Sequence, residues 1–515
     1  MSTPASAPAR RPRQIPYIIG NEGCERFNFY GMRNILTPFL VGTLLLHLPE
    51  GQRALAAKDV FHTFVIGVYF FPLLGGWLAD RHFGKYPTIF WLSLVYCAGN
   101  ALLAIFPHHR TGFYAGLLLI ALGSGGIKPL VASFVGDQFD QSNKHLAKGV
   151  FDAFYWIINF GSFFASLSMP WFLRHHGPAV AFGIPGVLMG IATFVFWLGR
   201  KAYVRLPPAA PSPDSFLRVA RTALATPRPG EPNRGLALAL LGLGLGLGTF
   251  AFVGSLGFVA CACLLIVFGL GFGGWGIVRQ LERARGRHSD EAIEGVRAVL
   301  RILVLFALTT PFWSLFDQKA STWILQANLM QRPDWFLPAQ MQALNPALVM
   351  VLIPFNSFVT WPLLKRAFGY EPSSLARMGA GIFLSGLAWV AIGFIQMGVE
   401  RGPVAIAWQI LPYTLLTLGE VLVSATGLEF AYSQAPPSMK GTIMSFFYLS
   451  VTVGNLWVLL VNASVKSPAV TARMVQAGVS VATFQMFFFA GFAFLAGALF
   501  VAYARRYRFV DHYRC

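Results

Sequence analysis

Four ionisable side chains crowd the first apolar segment of the chain: Glu22, Glu25, Arg26 and Arg33. At about 100° per residue they share one helical stripe with Phe29. A charge near the bilayer centre costs roughly 2.5–3.5 kcal/mol on insertion scales, so such a stripe turns away from lipid, towards partners or water. Two chemistries fit it: an interhelical salt-bridge network, or the polar wall of a transport path. The next segment carries His62 and, seven residues on, Tyr69. An imidazole with its ordinary pKa of about 6.5 suits proton exchange, but a lone histidine equally serves as a satisfied packing group. Lys128 stands in Gly123-Ser124-Gly125-Gly126-Ile127-Lys128-Pro129. The glycines there permit close helix approach, and a buried ammonium needs an anion. The second half offers isolated carboxylates, Asp317 and Glu420, and Asn159 places an uncharged amide among apolar neighbours. Cations in one half and acids in the other would give a shared cavity a positive and a negative wall. That suits a zwitterion with carboxylate and amine at opposite ends.

The elements that carry these groups are membrane spans. Of 515 residues 55% are hydrophobic and 12% charged, against about 25% charged in soluble domains. Apolar blocks long enough to cross roughly 30 Å of hydrocarbon recur about fourteen times. They fall near 17–46, 60–80, 86–106, 112–137, 147–173, 178–200, 235–252, 256–280, 295–325, 343–366, 374–398, 404–430, 440–463 and 476–504. The first is too long and too charged for a cleavable signal peptide. The formal net charge of +19 sits in short loops and tails, so it reads as topology, with both termini cytoplasmic, and nucleic acid is not expected as a partner. Cys24, Cys97, Cys261, Cys263 and Cys515 are scattered, with no His or second Cys pair beside Cys261-x-Cys263, so neither a metal nor a disulfide framework is expected. The Pro-rich stretch 201–234 reads as a cytoplasmic linker with a short amphipathic run from Phe216 to Leu224, suited to the membrane surface. The Gly-rich pair after it, with Gly242, Gly244, Gly246 and Gly248, reads as closely packed helices. The expected organisation is a tail 1–14, a six-helix bundle 15–200, the linker 201–234, an inserted pair 235–281, a second bundle 282–505 and a tail 506–515.

The ordered motifs are similar to those of one known family. Glu22-Gly-Cys-Glu25-Arg26-Phe27-Asn-Phe29-Tyr30-Gly31 resembles the opening signature of the proton-dependent oligopeptide transporters, within the major facilitator superfamily. Gly75 to Arg81 with Gly84-Lys85, Gly125 to Pro129, Phe154 to Ser162, Phe312 to Gln318 with Ser321-Thr322-Trp323, and Gly419-Glu420 with Glu429 to Pro436 continue the resemblance along nearly the whole chain. The resemblance implies an all-α fold of two six-helix halves plus an inserted helix pair, working by alternating access. It implies import of di- and tripeptides together with protons, the proton being the coupling ion and no cofactor being needed. Arg33, Lys128 and Arg26 would attract the peptide carboxylate, and Glu420 its amino terminus. Tyr30, Tyr69, Asn159 and Asn345 would line the pocket, with Trp313 and Phe447 as apolar wall. Glu22, Glu25 and His62 would couple protons, and Asp317 would form a gating salt bridge with Lys128. The motifs around Asp317 and Glu420 look like those of animal members. The missing extracellular domain between the ninth and tenth helices looks bacterial, which implies the inner membrane; a monomer surrounded by lipid is expected. Two departures bear on side-chain preference: Phe29 stands for the first Tyr of the signature, and Phe447 for a frequent Trp. Relatives that carry nitrate or other small solutes define the first alternative. A membrane enzyme, which lacks any Ser–His–Asp or H-E-x-x-H pattern here, and a receptor without flux define the others.

Overall fold

The computed structural model describes residues 12–140, 143, 146–208, 212–228, 230–434 and 439–507. Ala435, Pro436 and Cys515, named above, lie outside them, as do most of the terminal tails. The fold is helical throughout. The helices in chain order begin with α1 Ile15–Phe39, α2 Glu50–Leu78, α3 Lys85–Ile105, α4 Arg110–Ile127, α5 Leu130–Gly136 and α6 Ala147–Leu198. Then come α7 Phe216–Ala225, α8 Arg234–Gly248, α9 Val253–Leu256 and α10 Phe258–Gln280. The remainder are α11 Asp290–Asp317, α12 Thr322–Asn328, α13 Leu344–Phe355, α14 Trp361–Phe368, α15 Ser374–Arg401, α16 Ile410–Glu420, α17 Thr426–Gln434, α18 Lys440–Val465, α19 Pro468–Gln476 and α20 Val481–Ala504.

Among the described residues twelve helical stretches are long and apolar enough to cross a membrane. One of them, Gly149–Lys201, has 53 residues, far more than the roughly 20 a single crossing needs. It is two helices joined at Gly177, whose φ of 79° no helical residue adopts, and Pro178 opens the second with its pre-set φ. The charged α1 is a further span that hydropathy alone does not flag. The sequence expectation of about fourteen spans agrees with this.

Local chemistry explains the starts. Ser289 caps α11 by accepting from the Ala292 amide, with Asp290 and Glu291 in the first turn, where carboxylates offset the helix dipole. Ser373 and Ser480 cap α15 and α20 in the same way. Helix α2 starts at Glu50, well before the expected 60, so Lys58 and Asp59 are helical residues rather than loop.

The chain divides into two compact units. The first comprises 1–57, 67–210 and 332–351; the second comprises 58–66, 211–331 and 352–515. One helical piece of α2, residues 58–66, thus belongs to the second unit although the rest of that helix belongs to the first. In the first unit α2 and α4 touch backbone to backbone: a Cβ at Gly75 would lie 1.9 Å from the Gly125 carbonyl oxygen. This is the close approach expected of the glycine run before Lys128. In the second unit a Cβ at Gly454 would lie 2.8 Å from the Thr310 oxygen, so α18 lies directly on α11. Of the four glycines in the alternating run of the inserted pair, Gly242 and Gly246 meet α10, as Gly235 does a little earlier; Gly244 and Gly248 meet nothing within 4 Å. A helix has one packed face, so alternating glycines cannot all serve it. The linker helix α7 also differs from expectation. Its apolar residues Phe216, Val219, Ala220 and Ala223 are buried, and Phe216 meets the ring of Phe446 at 5.8 Å. Its apolar face is therefore covered by protein rather than membrane.

Candidate functional site

The first unit holds the α1 stripe. Glu22 and Glu25 are fully buried. The Arg26 Nε lies 2.6 Å from Glu22 Oε1 and 3.2 Å from Glu25 Oε2. Among the described residues Glu22 Oε2 and both Glu25 oxygens have no aligned hydrogen-bond donor. Two carboxylates and one guanidinium leave one negative charge over. Lys128, within electrostatic reach of Glu25, offsets part of it. Two turns on, Arg33 is buried on the same stripe.

Lys128 follows the end of α4 at Ile127, just before Pro129. Its ammonium sits 3.7 Å from the centre of the Phe29 ring and 4.4 Å from that of Tyr69. A desolvated cation on aromatic faces gains about 2 kcal/mol, so these rings supply part of what burial removes. Phe29, the departure from the family signature, thus seats a cation, a task for the ring that needs no hydroxyl. Lys128 also lies within electrostatic reach of Glu25. Tyr30 meets Phe29 edge to face at 5.3 Å. Asn159 donates to the Tyr155 carbonyl at 3.0 Å, which leaves its side-chain oxygen to other donors. Asn345, on α13, is half-buried in this unit.

The second unit holds a chain of three side chains. Asn455 Nδ2 donates to Asp317 Oδ2 at 2.8 Å and to the Val451 carbonyl at 3.0 Å. Its Oδ1 lies 2.6 Å from His62 Nδ1, and His62 Nε2 lies 2.9 Å from the Ser321 hydroxyl. The amide orientation follows from chemistry, because an ionised carboxylate only accepts and the NH2 must therefore face Asp317. The amide oxygen then faces His62, so Nδ1 carries a hydrogen. The Ser321 hydroxyl can donate to Nε2 or accept from it, so the site holds neutral or protonated imidazole without rearrangement. His62 and Asp317 are both almost fully buried.

Nearby, Trp313 and Phe447 meet edge to face at 5.8 Å, and Phe447 meets Phe306 at 5.7 Å. Glu420 is the last residue of α16, half-buried, before the wide π-helical turn Val421–Ala425. Such turns recur at functional sites.

The structure therefore joins Glu22, Glu25 and Arg26; Lys128 with Tyr69 and Phe29; His62 with Asp317; and Trp313 with Phe447. His62 and Tyr69 share a helix face as expected, yet belong to different units. Sequence reasoning gave no role to Asn455, the bridge itself. An amide inside the apolar run Val451-Thr452-Val453-Gly454-Asn455-Leu456-Trp457 was the available signal. It also passed over Lys319, which is buried with its ammonium 3.4 Å from the Phe316 ring centre. The second half therefore contributes a cation as well as acids. Lys58 went unnoticed because it was placed ahead of the helix. Among the described residues no group of three or more His, Cys, Asp or Glu side chains is placed to hold a metal.

Apolar spans that bury titratable assemblies define a multi-pass membrane protein. The chain belongs to the POT family, whose model matches residues 86–228 and 276–478. The stretch between those matches contains α8 and α9 and most of α10, the inserted pair. Solved structures carry the likeness across the first helix too. The POT family transporter PepTSo is 65% identical with a TM-score of 0.96, over 98% of this chain and 100% of that one. An auto inhibited POT family peptide transporter is 63% identical with a TM-score of 0.95, over 98% and 99%. The fold expected from the sequence, that of the major facilitator superfamily with an added helix pair, is the one seen. Solute carrier family 15 member 2 of Homo sapiens is 32% identical over 83% of this chain and 55% of its own length. Solute carrier family 15 member 1 of Oryctolagus cuniculus is 30% identical over 76% and 53%. The chain thus spans about half the length of these animal relatives.

Proposed function

We propose that the chain is a proton-coupled symporter that imports di- and tripeptides across a bacterial cytoplasmic membrane by alternating access. The observation that carries this reading is the presence of two buried assemblies of titratable side chains, Glu22–Arg26–Glu25 and His62–Asn455–Asp317, in one set of spans. Names borne by similar proteins, among them a peptide transporter 63% identical, support the choice of peptides.

The cycle starts when a proton reaches His62, whose partners accommodate either charge state. A proton on the Glu22/Glu25 pair cancels its surplus charge and loosens its hold on Arg26. Arg26, Arg33 and Lys128 then receive the peptide carboxylate, and Glu420 the ammonium. Tyr30, Tyr69, Asn159 and Asn345 contact the backbone, and Trp313 and Phe447 offer apolar wall. A salt bridge between Lys128 and Asp317 closes one gate. Each proton entering with the membrane potential contributes about 2.3 kcal/mol per 100 mV. Recognition through the termini accounts for breadth, because every short peptide carries them. The protein performs no covalent chemistry in this reading, needs no cofactor and acts as a monomer with both termini in the cytoplasm. Residues 15–200 and 282–505 act as the two halves, and 235–281 as the added pair.

The test is uptake of labelled dipeptide into proteoliposomes with and without an inward proton gradient. Accumulation that requires the gradient supports the proposal. Equal uptake without it, or gradient-driven uptake of nitrate but not of dipeptide, overturns it.

A further inference from the structure

One turn along α2 from His62 lies a second polar assembly that the cycle above does not use. Lys58 is buried, and its Nζ donates to Gln485 Oε1 of α20 at 2.6 Å. Gln485 Nε2 donates to Asn462 Oδ1 of α18 at 2.9 Å. Asn462 Nδ2 donates to Asp59 Oδ1 at 3.0 Å, and Lys466 closes the assembly by pairing with Asp59 Oδ2. All five side chains belong to the second unit.

The register is informative. Lys58 and His62 are four residues apart on α2, so they lie on one face. Asn455 and Asn462 are seven apart on α18, again on one face. The two helices therefore meet in two rungs, His62 with Asn455 and Asp59 with Asn462. One turn beyond His62, Ile66 packs into an apolar cluster with Leu456 and Leu459 of α18 and Ala260 and Cys263 of α10. His62 is thus held between an apolar pin and a polar one. Its own bonds, 2.6 Å to Asn455 and 2.9 Å to Ser321, weaken steeply with displacement or misalignment. The backbone turn 58–62 sets its distance to both partners.

We propose that Lys58 and Asp59, through Gln485 and Asn462, are positioning residues that hold His62 in register for proton exchange with Asn455 and Asp317. The inference rests on the reading of His62 as a proton-exchanging group. Within two turns of His62 and of its partners Asn455 and Ser321, the charged groups are Lys58 and Asp59 of its own helix and Asp317 and Lys319 from the end of α11 and the turn after it, with Lys466 after α18 paired to Asp59. Helix α20 contributes the uncharged Gln485 and α10 the apolar cluster. An ammonium retained in a buried site without a carboxylate in direct hydrogen bond is costly. A purely structural rung would be served equally well by an apolar side chain.

The test uses full-length protein in proteoliposomes. Gradient-driven dipeptide uptake is followed as a function of external pH for wild type, Lys58→Met, Lys58→Arg, His62→Gln and the Lys58→Met/His62→Gln double variant. Counterflow exchange of peptide is measured alongside as a gauge of folded protein. Lys58→Met should lower driven uptake at least about threefold and displace its pH profile, with counterflow kept within about twofold. Lys58→Arg, which keeps a donor for Gln485, should restore the profile. In the His62→Gln background Lys58→Met should have no further effect, because a positioning residue acts only through the group it positions. An unchanged pH profile in Lys58→Met, or a further loss of equal size in the double variant, overturns the proposal. Should Lys58→Met fold poorly, Asn462→Leu is read in the same way, with the same outcomes. If wild type itself shows no gradient-driven uptake, the transport reading fails before this one is reached.

Discussion

Replacing Asn455 by leucine asks how much the His62–Asn455–Asp317 chain contributes. The two side chains share the same number of heavy atoms and the same branching, and leucine is the larger, so no cavity opens and the main change is one of hydrogen bonding. Three bonds disappear, one of 2.8 Å to the Asp317 carboxylate, one of 2.6 Å to His62 and one of 3.0 Å to the Val451 carbonyl. The bond to the charged carboxylate is worth about 1.5–3 kcal/mol and each of the other two about 0.5–1.5 kcal/mol, and burying leucine in place of an amide returns roughly 1.5–3 kcal/mol. The net loss is about 1–3 kcal/mol, a change of about 5- to 150-fold in any step that needs the assembly intact. Gradient-driven dipeptide uptake by Asn455→Leu should fall by that factor, while counterflow exchange, which turns over without net proton movement, stays within about threefold of wild type. Both are read from one proteoliposome preparation. Driven uptake above a third of wild type across the pH range would refute the claim that these three side chains act as a unit.

Glu22→Gln removes one of the two carboxylates that share Arg26 and should abolish uphill accumulation while sparing exchange, measured by the same pair of assays. Glu420→Ala should weaken peptides with free amino termini at least about tenfold in competition binding, the scale of losing one partner of a charge pair, and leave N-acetylated peptides unchanged. On the linker, hydrogen bonds from Ser289 and His288 hold the Asp214 carboxyl below its ordinary value. A depressed carboxyl contributes its stabilisation above that ordinary value and loses it as pH falls through the folded-state value. Docking of α7 should therefore be complete at neutral pH and loosen only below about pH 4, and Asp214→Asn should loosen it already at pH 7. Amide exchange over residues 212–226 reads both.

The span pattern was legible because lipid enforces it: a run of about 20 apolar residues has few other uses. The α1 stripe was legible because charge in a span is costly enough to be deliberate. The glycine run from Gly123 to Gly126 signalled a backbone contact that a Cβ would forbid, though not that Gly75 is its partner. The amides were harder to read. Asn455 carries no charge, so hydropathy tolerates it, and only the three-dimensional neighbours reveal that it joins an acid to an imidazole. Lys58 was hidden by a boundary error, since the first turns of α2 are polar enough to resemble a loop. The fate of α7 was illegible for another reason. An amphipathic helix of ten residues offers the same face to a membrane or to a neighbour, and packing alone decides between them.

Peptide-evoked proton entry tests the central claim most directly. Proteoliposomes filled with a pH-sensitive dye, under an inside-negative potential, receive a neutral dipeptide from outside. The account predicts lumen acidification that begins with peptide addition, saturates with its concentration and is lost in Glu22→Gln. Peptide entry with no acidification, or acidification indifferent to peptide, would contradict it.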